Sequence, residues 1–103
     1  MMTLPFLDIH THKGNNRPGI TTLFNTIVGR DALGSQPASL GIHPWYLHQD
    51  SYQDLLVLLH KEARRTTVLA IGECGLDKVC KTSFPLQEQA FIAQIKLANV
   101  LQK

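Results

Sequence analysis

Two histidines one residue apart, His10 and His12 in "FLDIHTHKG" (Phe6–Gly14), follow Asp8 at the end of a short apolar run. Side chains alternate across an extended strand, so residues two apart share a face. If Leu4 to His12 continues as a strand, Asp8, His10 and His12 point the same way. Two imidazoles held in that manner can ligate one divalent ion without a strained backbone. Taken alone, the spacing also suits a pair of solvated polar residues in a loop. The pattern recurs, however. "SLGIHPW" puts His43 at the end of a second apolar run, and "LAIGECGLD" puts Glu73 at the end of a third, with Asp77 shortly after. Three runs therefore each deliver ionisable groups at the C-terminal end, which is how barrels of alternating strands and helices build active sites. Imidazole with carboxylate suits zinc, manganese or a similar ion acting on a water molecule.

Other residues near these runs have two readings each. Trp45 and Tyr46 follow His43-Pro44 at the rim. They could stack on a nucleobase, since an aromatic face accepts any base, or pack over the mouth of the site. Lys13, Arg17 and Lys78 lie near the same ends and could meet phosphates, but three scattered bases make no patch. His48 reads as a loop residue and His60 as a solvated position on a helix. Cys74 and Cys80 are too few for a structural zinc site of their own and read as reduced thiols in a cytosolic protein.

The elements that must position these residues follow from periodicity. Leu4–Ile9, Ile20–Val28 ("ITTLFNTIV"), Ala38–Ile42 and Thr66–Gly72 ("TTVLAIG") read as strands. The last is nearly all apolar, as a strand buried on both faces should be. "GRDALGSQP" (Gly29–Pro37) reads as a loop. Asp50–Arg65 reads as a helix, with Ser51 and Asp54 resembling a capping box and Leu55, Leu56, Leu59 and Ala63 on one face. A second helix starts near Ser83, carries Pro85 in its first turn, and repeats Phe91, Ile95, Ala98 and Leu101 at helical spacing. Apolar strands with an intervening helix predict an α/β fold with a parallel sheet.

Composition bounds the function classes. The 103 residues are 44% hydrophobic and 17% charged with a formal charge of +2, which suits a globular domain and marks neither a nucleic-acid-binding tail nor a polybasic membrane patch. No stretch reaches the roughly 18 apolar residues of a membrane span. The N-terminus lacks the pattern of a secretory signal. The expected location is the cytoplasm.

"DIHTH" followed by "GIHPW", "AIGECGLDK" and "PLQEQAFIAQIKLA" resembles the TatD family of metal-dependent hydrolases, often described as TatD-related deoxyribonucleases. The four blocks stand in the family's order over nearly the whole chain. The resemblance implies the N-terminal half of a TIM-type β/α barrel with parallel strands, residues 1–103 forming a single incomplete domain. It implies one or two divalent ions (zinc, manganese or magnesium) at the strand C-termini, and DNA or another phosphodiester as substrate. By motif, His10 and His12 match the H-x-H metal ligands and Glu73 matches the glutamate that ligates or bridges the ions. His43, in "GIHP", matches a position nearer the substrate than the metal, and Asp77 and Trp45 join it there. The family's remaining ligands, two histidines and an aspartate, belong to later strands, as does its general base. A complete barrel takes about 250 residues, so the chain alone is expected to be inactive and to bind metal weakly. Two possibilities stand. The chain is a fragment of an active hydrolase, with the next strand beginning within about ten residues of Lys103. Alternatively, it is a catalytically silent half-barrel that self-associates through an exposed sheet edge or pairs with a complementary half.

Overall fold

A computed structural model of the chain describes residues 6–11 and 20–103, with side chains from Leu23 onward. Four strands form one sheet in sequence order: β1 (Phe6–Thr11), β2 (Ile20–Ile27), β3 (Ala38–Gly41) and β4 (Val68–Ile71). Every neighbouring pair is parallel. Helix α1 (Tyr52–Glu62) crosses from β3 to β4, and α2 (Phe84–Leu101) follows β4. This is the open parallel sheet with crossover helices of a partial β/α barrel.

The β2–β3 connection carries no helix. It turns at Gly29, whose φ of 81° lies where a side chain is strained. The turn closes on the end of β2: the Arg30 and Asp31 amides donate to the Ile27 carbonyl (3.0 and 2.8 Å), and the Asp31 carboxylate accepts from the Ile27 amide (2.9 Å). Ten residues of polar and Gly/Pro-containing loop thus take the place of a crossover helix, as "GRDALGSQP" predicts.

Two register shifts interrupt the pairing of the strands, and the second corrects the sequence reading of β4. Asp8 pairs with Thr22 but Thr11 with Phe24, so three steps along β1 match two along β2. The side chains of Asp8 and His10 lie outside the described residues. Likewise Ala38 pairs with Val68 and Ser39 with Ala70, which leaves Leu69 as the extra residue of β4. Val68 is fully buried but Leu69 is 48% exposed. The expectation that this strand is buried on both faces fails at Leu69, on an outer strand of the described sheet.

The core lies between β3, β4 and the two helices. Leu40, Leu47, Tyr52, Leu59, Ala63, Val68, Leu86, Ala90 and Leu97 form one buried cluster. On α1 the predicted face holds: Leu59 and Ala63 are buried, and Leu55 and Leu56 pack against the cluster. The capping box does not form. Ser51 has helical backbone angles and makes no side-chain cap bond, because its hydroxyl turns back to the His48 carbonyl (3.4 Å).

At α2, Ser83 accepts a capping bond from the Leu86 amide, with Pro85 in the first turn. The inward face differs from the predicted stripe. Leu86, Gln87, Ala90, Gln94 and Leu97 are buried, whereas Ile95 is exposed and Phe91 and Ala98 are half-buried. The burial face is rotated because two of its positions are glutamines, which an apolar pattern passes over. The helix ends with Gln102 in the left-handed conformation (φ 57°) rather than at a glycine. Lys103 then donates to the carbonyls of Ala63 and Arg65 (2.7 and 3.1 Å), tying the end of α2 to the end of α1.

Candidate active site at the strand ends

Because all four strands are parallel, their C-terminal ends share one edge of the sheet. β3 delivers His43 there and β4 delivers Glu73, each two residues past its last strand residue. His10 lies in β1 next to its last residue, so the backbone carries it at the same edge. His12 and the side chain of His10 lie outside the described residues. Among the described residues no cluster of three His, Cys, Asp or Glu side chains forms.

The structure brings His43 and Glu73 together. His43 Nε2 stands 3.7 Å from Glu73 Oε2, above a hollow of about 300 Å³ lined by His43, Trp45, Glu73, Cys74 and Asp77. His43 caps the short 3-10 turn Pro44–Tyr46, its Nδ1 accepting from the Trp45 amide (3.1 Å). An imidazole nitrogen that accepts carries no proton, so the neutral ring holds its proton on Nε2. His43 therefore presents an N–H donor to the hollow and has no lone pair there for a metal.

Glu73 is anchored at two points. Asn25 Nδ2 donates to Glu73 Oε1 (3.0 Å), and the Glu73 amide donates to Asn25 Oδ1 (3.2 Å). The Ser39 hydroxyl donates to that same Asn25 oxygen (3.2 Å) from the paired position on β3. Gly41 makes the close approach possible. A Cβ there would stand 2.7 Å from the Gly72 carbonyl carbon and 2.8 Å from the Glu73 carbonyl oxygen, closer than real contacts allow. The glycine of "SLGIHPW" lets β3 receive the backbone that presents Glu73.

Trp45 and Asp77 form the rim. The Trp45 indole N–H donates to Asp77 Oδ2 (2.7 Å), and the indole meets the His43 ring edge-on at 5.3 Å between centroids. The indole is 60% exposed. This bond and the amides of Val79 and Cys80 hold the Asp77 carboxyl below its ordinary pKa of 3.8. Tyr46 is half-buried, its ring 5.5 Å from that of His43 between centroids and 4.4 Å from the Arg30 guanidinium.

Burial, and then the charge of Glu73, push the Cys74 thiol up, which keeps it protonated and a poor ligand. An extended strand would turn Cys74 away from the side of Glu73 to pack, but Cys74 lies beyond the end of β4 and lines the same hollow as Glu73. Both cysteines are free thiols. His48 and His60 are exposed, as expected of a loop and an outer helix face.

Four supporting residues escape a reading of the sequence motifs. Asn25 and Ser39 hold Glu73, and the signal was a polar residue inside the apolar run "LFNTIV". Gln94 and Gln87, both about 1% exposed, hold the two loops. The Ile42 amide donates to Gln94 Oε1 (2.7 Å), while Gln94 Nε2 donates to the carbonyls of Ile42 and Ala90 (3.4 and 3.1 Å). The Asp77 amide donates to Gln87 Oε1 (2.7 Å), and Gln87 Nε2 donates to the carbonyls of Asp77 and Thr82 (3.0 and 2.9 Å). Their separation of seven residues places both glutamines on one face of α2, directly behind His43 and Asp77.

A carboxylate with one oxygen engaged by an amide and the other open suits a hard divalent ion, and imidazole complements it. The donor set fits such an ion with Glu73 as one ligand.

Residues 30–103 match the family model described as TatD related DNase. Among curated proteins, the chain is 47% identical over 64 residues to a protein of Dickeya dadantii (strain 3937) named "3'-5' ssDNA/RNA exonuclease TatD". Proteins of the same name from Citrobacter koseri and Edwardsiella piscicida are 42% identical over 71 residues and 41% over 70. These alignments cover 59–64% of the chain but only 23–25% of the relatives, so it spans about a quarter of their length. No solved structure is a significant match. Among the described residues no helix is long and apolar enough to cross a membrane.

Proposed function

Because the chain belongs to the TatD related DNase family, we propose that it contributes the first strands of a metal-dependent nuclease barrel that hydrolyses phosphodiester bonds in single-stranded nucleic acid. The observation that carries the proposal is the pairing of Glu73 with His43 at the C-terminal strand ends, one carboxylate oxygen anchored and the other facing the hollow. His10, His12 and Glu73 would hold one or two divalent ions, zinc, manganese or magnesium. Such an ion supplies Lewis-acid polarisation of the phosphate and activation of water.

The chain's own residues have distinct parts on this reading. Glu73 offers Oε2 in a fixed direction because Asn25 occupies Oε1. His43 donates its Nε2 proton to a phosphate oxygen and so orients the substrate, and it does not ligate the ion. Asp77 sets the plane of Trp45, on whose exposed face a base can stack. Residues 1–103 then form one segment of the barrel, and strands of a complete barrel would add the remaining ligands and the general base. Such a nuclease would work in the cytoplasm.

Calorimetry with zinc and manganese tests the ligand set. Weak binding to the 103-residue chain should disappear in the double variant His10→Ala with His12→Ala and in Glu73→Gln. Tight binding that survives the double substitution would place the ligands elsewhere. Cleavage of an end-labelled single-stranded oligonucleotide, dependent on the same ions, is the corresponding assay of activity.

A second reading is a catalytically silent half-barrel that pairs with a second copy or with a complementary half. It is favoured by Leu69, an apolar residue exposed on an outer strand.

A further inference from the structure

Asn25 stands in the interior of β2, and its amide is only 6% exposed. A buried primary amide must find partners for both its oxygen and its nitrogen. Asn25 finds them across two neighbouring strands. Oδ1 accepts from the Ser39 hydroxyl and from the Glu73 backbone amide, both at 3.2 Å, while Nδ2 donates to Glu73 Oε1 at 3.0 Å.

The orientation of that amide is not arbitrary. Two donors converge on Oδ1, so a flipped amide would point its own N–H groups at the Ser39 hydroxyl and the Glu73 amide. The Glu73 amide can only donate and its carboxylate can only accept, so together they select the orientation that aims Nδ2 at the carboxylate. The Ser39 hydroxyl, 5% exposed, adds a second donor to Oδ1. Glu73 lies past the end of its strand, where the sheet ladder no longer fixes it. The same amide that grips its backbone also grips its side chain.

We infer that Asn25, supported by Ser39, is a positioning residue that clamps Glu73 at backbone and carboxylate and reserves a single carboxylate oxygen, Oε2, for the site. The inference rests on the reading of Glu73 as a metal ligand only for its functional consequence. A ligand clamped through Oε1 offers one oxygen in one direction, which favours single-oxygen coordination over two-oxygen chelation. Removing a group that orients a ligand typically costs about 10- to 100-fold in metal affinity.

The test uses two readouts on the 103-residue chain. The first is the side-chain amide of Asn25 in nuclear magnetic resonance spectra without metal. The clamp requires one Nδ2 proton to be shifted downfield and protected from exchange, and both properties to vanish in Glu73→Ala. The second is zinc binding by calorimetry. Asn25→Ala should weaken it by about 10- to 100-fold, while Asn25→Asp, which replaces the donor with a like charge, should weaken it at least as much. Ser39→Ala removes only the hydroxyl that shares Asn25 Oδ1 with the Glu73 amide. It should speed exchange of the Asn25 amide and weaken zinc binding by a smaller factor, and it carries the test if Asn25→Ala fails to fold.

An Asn25 amide that exchanges like an exposed one overturns the inference. So does a folded Asn25→Ala chain, its backbone amide signals dispersed as in the wild type, that binds zinc within about twofold of it, since that falls far short of the expected loss. Absence of zinc binding in the wild-type chain with a protected Asn25 amide would instead remove the metal-ligand reading and leave the clamp standing.

Discussion

At the residue scale, the tie between Trp45 and Asp77 makes a prediction about pH. The Asp77 carboxyl is held below its ordinary value of 3.8 first by the indole N–H and then by the Val79 amide. A group whose folded pKa is depressed contributes stability that is fully present above its unfolded pKa, and loses it as pH falls through the folded one. The tie should therefore hold from neutral pH down to about 4 and fail only below 3.8. Trp45 is the chain's one tryptophan, so indole fluorescence reports it directly. In a His43→Gln background, which removes the ring that meets the indole edge-on, emission should stay constant to pH 4 and change below it. Asp77→Asn should abolish that step, and circular dichroism recorded alongside separates it from unfolding. Gly41 supports a second prediction. Gly41→Ala must push against the backbone of Gly72 and Glu73, which cannot move as a flexible side chain would. Overpacking of that kind costs about 1–3 kcal/mol, measurable by urea denaturation. The types and spacing of His43, Glu73, Trp45 and Asp77 were legible in the sequence because motif residues stand at the ends of apolar runs. The proton on His43 Nε2 was not, since it follows from a turn geometry that spacing does not encode.

At the element scale, α2 is both a crossover helix and the rear wall of the site. Its buried glutamines satisfy the backbone of the two loops that carry His43 and Asp77. Gln94→Leu would keep the volume but leave the Ile42 amide without its partner. A buried group orphaned in this way costs about 1–3 kcal/mol, so the variant should melt at a lower temperature. Gln94→Glu keeps the acceptor but sets a buried carboxylate against the carbonyls of Ile42 and Ala90, so it should destabilise at least as much. All four strands and both helices were legible from periodicity because burial against a sheet imposes it. The rotated face of α2 was not, because its two glutamines are paid no attention by a hydrophobic pattern. The bulges in β1 and β4 escaped for a related reason: an inserted residue alters pairing without altering composition.

At the scale of the whole molecule, the described sheet has β1 and β4 as its outer strands, and β4 turns Leu69 into solvent. An apolar residue on an outer strand is a template for association. If the chain pairs with itself there, sedimentation velocity should show a concentration-dependent dimer that Leu69→Lys removes. Equal behaviour of the two chains would discount that edge.

The order of the strands also bears on how the chain acquires its form. Each strand pairs with its neighbour in sequence, so no strand waits for a distant one. The contact of Asn25 with Ser39 closes a loop of 14 residues and its contact with Glu73 one of 48, and the entropic cost of closure grows only slowly with loop length. The long reach from Asn25 to Glu73 is thus spanned in two short steps, β2 to β3 and β3 to β4, and the carboxylate is brought to its partner by a sheet assembled from neighbours alone.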